Sequence, residues 1–526
     1  MNKLRQSQYD AIVIGAGNGG LTAATALQRG GAKTLLLERH NIPGGCASSF
    51  VRGEFEFEVA LHQLSGLGTE QKPFIMRKLF AELGVMDKVE FVQEQHLYRM
   101  IVKDEFDITL PACWQGIQTT LIEHFPEEAQ GIKDFLQLCE RVTLESFMSF
   151  RMALKTQDER MLKQSCKHFA AQGLRSAKAV LDEHFQNRQL KTLLAAYWCY
   201  LGQPPRDISF VDLATMLYAY GMFKPWHIKG GSQALSSALL DSFLAAGGEI
   251  RFNCAVERIS TEPARDRNGK PKVTGVLTEH GDTLIAPHIV SNASSIVTFV
   301  DLLDLPVLPE GIARDFKSRE IGTSAFCLYI GLDCLPETVG IHNASTFISN
   351  TLDEEKMHDT MKTMKPPVAT MLTCYNVEDK SFAPPGKSQL SLLCLQYGSV
   401  WQDIPAEQYA DTKYAFAEHL LAQAEAEFPG LKAHIEELEV ATPLTMQRYL
   451  NTPQGAIYGF VQNPEDGELY RPRYDQVDGL YMAGAWQGMG GFQPTYMVGV
   501  STAKAILKAL KKQLSTKVSA QEAAHV

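Results

Sequence analysis

The sequence predicts an α/β fold whose parallel sheet is assembled from three separated stretches of chain, with an α+β domain inserted between them. Three observations predict it. An apolar run at 11–14 stops at Gly15-Ala16-Gly17-Asn18-Gly19-Gly20, a helical composition follows over 21–29, and a second apolar run, 34–37, ends in Glu38. At Lys229-Gly230-Gly231-Ser232 the pattern resumes, with a helix through Ala246 and a strand at 249–253. A strand at 479–484, a glycine-rich turn and a helix over 495–511 close the chain.

In the first stretch each glycine has a task. Gly15 permits a tight turn, Gly17 lets backbone N–H groups approach a pyrophosphate, and Gly20 lets the helix pack closely on the strand, its N-terminus facing phosphate charge. Glu38 is placed to accept hydrogen bonds from an adenosine ribose. Strand, helix, second strand and acidic end agree on a dinucleotide, and leave NAD and FAD both open. Residues 51–66 then read as short β structure, and 72–220 as mainly helical with a hairpin at 98–110, an inserted domain. After the second stretch, strands are expected near 255–259, 273–278 and 284–290, with turns at 266–269 and 280–281. A second insertion carries the strand candidates AFCLYIGLD and LSLLCLQYG and an amphipathic helix over 409–427. Residues 1–71, 225–310 and 441–526 therefore form one domain, and 72–224 with 311–440 the other; the polar tail after Lys511 is expected to fray.

A chain of 526 residues is too long for one simple core, and 45% hydrophobic with 21% charged residues is globular. A net charge of −10 argues against a phosphate-tracking surface, so nucleic acid is not an expected partner. The 10 cysteines form no CxxC pair and no Cys/His spacing suited to zinc, so no metal is expected, and free thiols in a reducing cytoplasm fit best. No secretory signal and no uncharged apolar run of about eighteen residues is expected to place the chain across a bilayer.

Two further stretches bear on the cofactor. After Glu38 come Arg39-His40-Asn41-Ile42-Pro43-Gly44-Gly45-Cys46-Ala47-Ser48, where a second glycine pair lets backbone lie against a ligand enclosed on several sides. In GLYMAGAWQGMGGFQPTYMVGVSTAKAI, 479–506, a strand ending at Gly484 and a helix starting near Thr495 point free N–H groups and positive dipole at an anionic ring edge. Reduced flavin is such a ring, and the helix favours its accepting a hydride. On these residues, with Phe57 to His62, 229–235 and 441–460, the chain resembles the flavoprotein group of bacterial-type phytoene desaturases, carotenoid isomerases and retinol saturases, related more distantly to amine oxidases. Glu38-Arg39-His40 followed by Gly44-Gly45-Cys46 looks most similar to the retinol saturases. Amine oxidases typically carry Arg where this chain has Cys46.

The resemblance implies a Rossmann-like FAD-binding domain built from three segments with an inserted substrate domain, the amine-oxidase-like architecture. By position, Gly15, Gly17 and Gly20 would hold the pyrophosphate, Glu38 the adenosine ribose with Arg39 beside it, and Gly44, Gly45 and Ser48 the pyrophosphate and ribityl chain. Val256 stands where the family's backbone pairs with adenine, and Gly484, Ala485, Tyr496 and Met497 would line the flavin. The implied substrate is a polyene, carotenoid, retinoid or other long apolar lipid, desaturated, saturated or isomerised by hydride transfer with flavin N5, and the implied electron partner a quinone, oxygen or a redox protein. One anchor departs from the family's Phe-Asp-x-Gly: here it reads Phe57-Glu58-Val59-Ala60. If that glycine has positive φ in relatives, Ala60 is strained.

Since the flavin performs the hard step, few polar catalytic residues are expected. His62 either passes a proton at the substrate carbon or is a hydrogen-bonded structural histidine. Glu58 serves the same role if buried with a raised pKa, or else makes a ribose or backbone contact. Trp486 and Tyr496 either wall an apolar tunnel or pack in the core. Over 147–178 a basic, amphipathic composition suits contact with an anionic lipid surface, or a solvated helix face, so the expected location is the cytoplasm with a peripheral membrane contact. The same residues leave an amine or porphyrinogen oxidase, or a non-catalytic flavin-bearing lipid carrier, as alternatives.

Overall fold

Four consecutive apolar residues that are all buried need cover on both faces, and Ala11–Ile14 has it at the centre of a five-stranded parallel sheet. Thr34–Leu37 and then Glu249–Arg251 lie on one side of it, His288–Ser291 and then Leu480–Met482 on the other. Alternate residues divide between two cores. Ala11 and Val13 pack under the helices Asn18–Arg29, Gly231–Ala245 and Phe492–Ala523. Ile12 and Ile14 pack with Ile259 and Val276 of a three-stranded antiparallel sheet formed by Val256–Glu262, Lys272–Thr278 and Thr283–Ile285. The structure is a computed structural model and describes residues 9–150, 160, 164–263, 269–464 and 474–523.

A second, seven-stranded sheet runs in the order Ile435–Ala441, Ser324–Leu332, Ser388–Gln396, Ala369–Thr373, Ser345–Ser349, His96–Val102 and Phe106–Pro111. Its pairings are antiparallel except that of Ser345–Ser349 with His96–Val102, which is parallel. Through that pairing the expected hairpin of the first insertion joins the strands of the second. Phe326, Leu328 and Ile330 face the helix Tyr409–Glu427. Cys327, Met371, Leu393 and Leu395 face the opposite core, shared with the helices Ala129–Leu144 and Phe210–Phe223.

Several expectations are corrected. The strand expected over 284–290 is two, in different sheets, because Pro287 lacks the N–H a continuous ladder needs. The last helix begins at Phe492 rather than 495, since Pro494 is tolerated in a first turn, and it continues to Ala523 rather than fraying after Lys511. Its final stretch is rich in Lys, Gln, Ala and Leu, all good helix formers. Of the basic stretch 147–178, residues 151–159 and 161–163 lie outside the described residues; within it Arg175 and Lys178 are engaged by Glu183 and Asp182. Among the described residues no helix is long and apolar enough to cross a membrane.

Gly20 shows how tightly the first turn is closed: a Cβ there would lie 1.9 Å from the Gly15 carbonyl oxygen. Gly20→Ala is expected to cost about 3 kcal/mol, the upper range for overpacking, because backbone must move rather than a side chain. Chemical denaturation of the two proteins measures the difference.

Candidate active site

A cavity of about 850 Å³ extends from the first glycine turn to the inner face of the seven-stranded sheet. Gly15, Gly17, Glu38, Arg39, Gly44, Gly45, Val256, Gly484, Ala485, Trp486, Met497 and His62 all line it, so residues far apart in sequence meet on one surface. Ligands of parallel α/β sheets sit beyond the carboxyl ends of the strands, and the cradle end occupies that position.

The cradle is tied together by backbone. The Gly44 N–H donates to the Ala16 carbonyl at 2.8 Å, and Gly44 has φ +122° with no room for a Cβ, which would lie 2.1 Å from the Ala47 carbonyl oxygen. Glu38 accepts from the Ala16 N–H at 2.6 Å and from the His40 N–H at 2.8 Å, one bond to each oxygen. A carboxylate has about four lone-pair sites, so both oxygens keep acceptor capacity towards the cavity. Arg39 is oriented by a 2.6 Å bond to the Arg448 carbonyl. The first turns of Asn18–Arg29 and Phe492–Ala523 both border the cavity, and each presents N–H groups that lack intrahelical acceptors.

Four expected site residues lie elsewhere. Gly20 serves the helix-to-strand contact rather than the cavity wall. Ser48 closes its own loop, its hydroxyl donating to the Gly45 carbonyl at 2.8 Å. Tyr496 is fully buried against Phe80, at 5.3 Å between ring centroids, because residues 494, 495, 497, 498 and 501 occupy the cavity-facing side of the helix and 496 points the other way. Glu58 does not line the cavity. Its Oε1 accepts from Ser232 Oγ at 2.6 Å and from the N–H groups of Leu61 and Ala60 at 3.1 and 3.2 Å, while Oε2 accepts from the Ser232 N–H at 2.6 Å. Burial pushes its carboxyl up and these donors oppose the shift. Glu58 clamps residues 60–61 to the start of the helix Gly231–Ala245. Ala60 lies outside the left-handed region, so the expected strain is absent.

His62 lines the same cavity. Its Nδ1 lies 2.6 Å from Thr373 Oγ1, and its ring stacks on Tyr200 at 5.8 Å and 13°. Burial lowers its pKa to about 4, so the imidazole is neutral over the physiological range. The Tyr375 hydroxyl is shared between the carbonyls of Leu61 and His62. Gln63 donates to Glu94 at 2.7 Å and accepts from the Tyr197 hydroxyl at 3.2 Å. Behind them the fully buried His227 stacks on Tyr375 at 4.7 Å, with Glu94 and Asp379 at 3.8 and 3.9 Å from its two ring nitrogens. Met216, Met371, Leu393, Leu395, Met446 and Leu450 supply apolar wall to the same cavity. Trp486 is both wall and core: it lines the cavity and packs edge-on against Phe460 at 4.9 Å.

Thr373, Tyr200, Tyr375 and Asn292 escaped the sequence reading. Only Asn292 carried a signal, as the polar residue that follows the buried strand His288–Ser291; it lines the cavity, and a Cβ on Gly17 would lie 2.8 Å from its Nδ2.

The family described as flavin containing amine oxidoreductase matches residues 19–507. The chain belongs to the flavin-containing amine oxidoreductase family. Within that family it is 25% identical over 480 residues to the all-trans-retinol 13,14-reductase of Danio rerio, covering 86% of this chain and 77% of that protein. It is 26% identical over 517 residues to a chloroplastic prolycopene isomerase of Daucus carota, covering 91% and 77%. A 4,4'-diapophytoene desaturase of Methylomonas is 25% identical over 503 residues, covering 92% of each. An oxidoreductase from Methanosarcina mazei shares the fold at a TM-score of 0.62 and 17% identity, covering 94% of this chain and 99% of that one. Family membership makes the protein an FAD-dependent oxidoreductase. The residues present fit FAD: a ribose acceptor at Glu38, backbone donors and side-chain-free glycines where the diphosphate would lie, and a second helix N-terminus at the ring end.

The depressed pKa of His62 has a measurable consequence. The unfolded chain binds this proton near the ordinary 6.5 and the folded protein only near 4. The stability contributed by the neutral imidazole is therefore full above 6.5 and declines as pH falls towards 4. His62→Phe is expected to flatten that part of the stability–pH curve, measured by denaturant midpoints of the two proteins in buffers across the range.

Proposed function

We propose that the protein desaturates, saturates or isomerises carbon–carbon bonds in a polyene, carotenoid, retinoid or other long apolar lipid. The observation that carries this reading is the continuity of one cavity from a dinucleotide cradle to walls of methionine and leucine, with a neutral histidine among its lining residues. The relatives' names support it, since they include a retinol reductase, a prolycopene isomerase and a diapophytoene desaturase. Bound FAD supplies the hydride acceptor or donor. The chain's own residues hold the lipid in register, exclude water and keep an unprotonated imidazole nitrogen beside the reacting carbons, where it accepts the proton that leaves with a departing hydride. Thr373 and Tyr200 fix the plane of that imidazole.

In this reading the parallel-sheet segments, 1–71, 225–310 and 441–526, hold FAD, and the segments 72–224 and 311–440 supply the lipid chamber. Electrons pass to or from a quinone, oxygen or a redox protein. The protein works in the cytoplasm, with peripheral membrane contact through 147–178 giving access to a water-insoluble substrate.

Holoenzyme incubated with retinol, prolycopene or phytoene, with and without an added quinone, is expected to convert at least one of them, followed by chromatography of the pigments. His62→Phe is expected to lower kcat by about a hundredfold or more while flavin absorbance is retained. Unchanged turnover in that variant would remove the proton-transfer role. Peroxide release with a short amine, in place of polyene conversion, would replace the reading with an amine oxidase.

A further inference from the structure

A second cavity, of about 40 Å³, lies beside the main one and shares three wall residues with it, Met371, Leu393 and Leu395. The two succeed one another across the seven-stranded sheet. The main cavity touches the strands Ser324–Leu332, Ser388–Gln396 and Ala369–Thr373; the second touches the latter two, then Ser345–Ser349 and His96–Val102. Together they trace a path across four strand-to-strand steps, roughly 19 Å at the usual strand spacing.

The hydroxyl hydrogens of the second cavity's wall and the thiol hydrogen of Cys199 are donated within the protein, leaving none of these to offer an occupant. Ser349 donates to the Thr351 carbonyl, Thr360 to the Met357 carbonyl, Thr370 to Gln423 and Cys199 to the Ala196 carbonyl. Four methionines meet there, Met100, Met357, Met361 and the shared Met371. Methionine is unbranched, with three rotatable bonds, so a wall made of it reshapes around an apolar guest at little cost. The partition between the cavities is thus a layer of side chains of which one is readily displaced.

We propose that the second cavity is an end pocket for the terminus of the apolar chain held in the main cavity, opened when Met371 swings aside, and that it sets the longest chain the protein accepts. The proposal rests on the lipid reading above and adds the specificity-determining residues: Ala369, Met357 and Met361 line the end pocket alone, without bordering the main cavity.

The test titrates holoenzyme with farnesol, geranylgeraniol, squalene and phytoene, reading the perturbation of flavin absorbance to obtain a Kd for each. Ala369→Leu fills the end pocket and should raise the ratio of the phytoene Kd to the farnesol Kd about tenfold, the effect of an added methylene or two in an apolar site. Met361→Ala widens it and should lower the same ratio, which keeps the test decisive if the filled variant fails to fold. Variants that leave the ratio unchanged, while the wild type binds the series, overturn the end pocket and leave the lipid reading intact. A wild type that responds to none of the terpenoids overturns the lipid reading and the end pocket with it.

Discussion

The placement of residues 58–63 is the constraint on which the site depends, and a single buried carboxylate sets its beginning. Glu58 gathers the N–H groups of Ala60 and Leu61 and both donors of Ser232, so the segment leaves its strand at a defined angle and is tied to the start of a helix 170 residues further on. A buried carboxylate left short of donors is costly, and these four offset part of the cost of burying Glu58. The far end of the segment is gripped as firmly. Tyr375 holds the carbonyls of Leu61 and His62, Tyr329 holds that of Val59, and Glu94 holds the Gln63 amide. His62 is therefore presented by a backbone that has almost no freedom, and its own ring is fixed from the other side by Thr373 and Tyr200.

This design separates two chemical tasks that share one cavity. The cradle end relies on backbone N–H groups, helix termini and one acidic side chain, which suits a charged diphosphate and a ribose. The methionine and leucine walls rely on dispersion and shape. The same cavity is lined by an imidazole that burial keeps neutral, a group that carries no charge beside an apolar substrate until it accepts a proton.

What the sequence made legible follows physical locality. The glycine turn, the Glu38 terminus and the helix Tyr409–Glu427 are written in consecutive residues, and each was read with its bounds nearly unchanged. The split at Pro287 was visible in principle, since proline marks a strand's limit, yet the apolar run on both sides masked it. Tyr496 takes the second of its two expected places, the core, because it stands on the opposite side of the last helix from its neighbours Thr495 and Met497, and a resemblance by position does not say which of two adjacent residues faces the cavity. The partners of His62 had no local mark at all. Thr373 ends a strand and Tyr375 opens the short helical turn just after it, both more than 300 residues from His62, and the parallel pairing of Thr346 with Arg99 also joins distant stretches, so neither leaves a periodic trace in sequence. Glu58 carries its acidic group in sequence, but its partners are only half legible: Ala60 and Leu61 are neighbours, while Ser232, which supplies the other two donors, lies in a distant segment.

A single cavity that takes FAD and a long apolar chain end to end can be checked on the protein as purified from cells, by mass spectrometry of everything released on extraction and native mass spectrometry of the intact complex. One FAD per chain is expected, together with an isoprenoid or acyl lipid that lacks charged groups. A nicotinamide dinucleotide in place of FAD, or a small polar amine in place of the lipid, would contradict it.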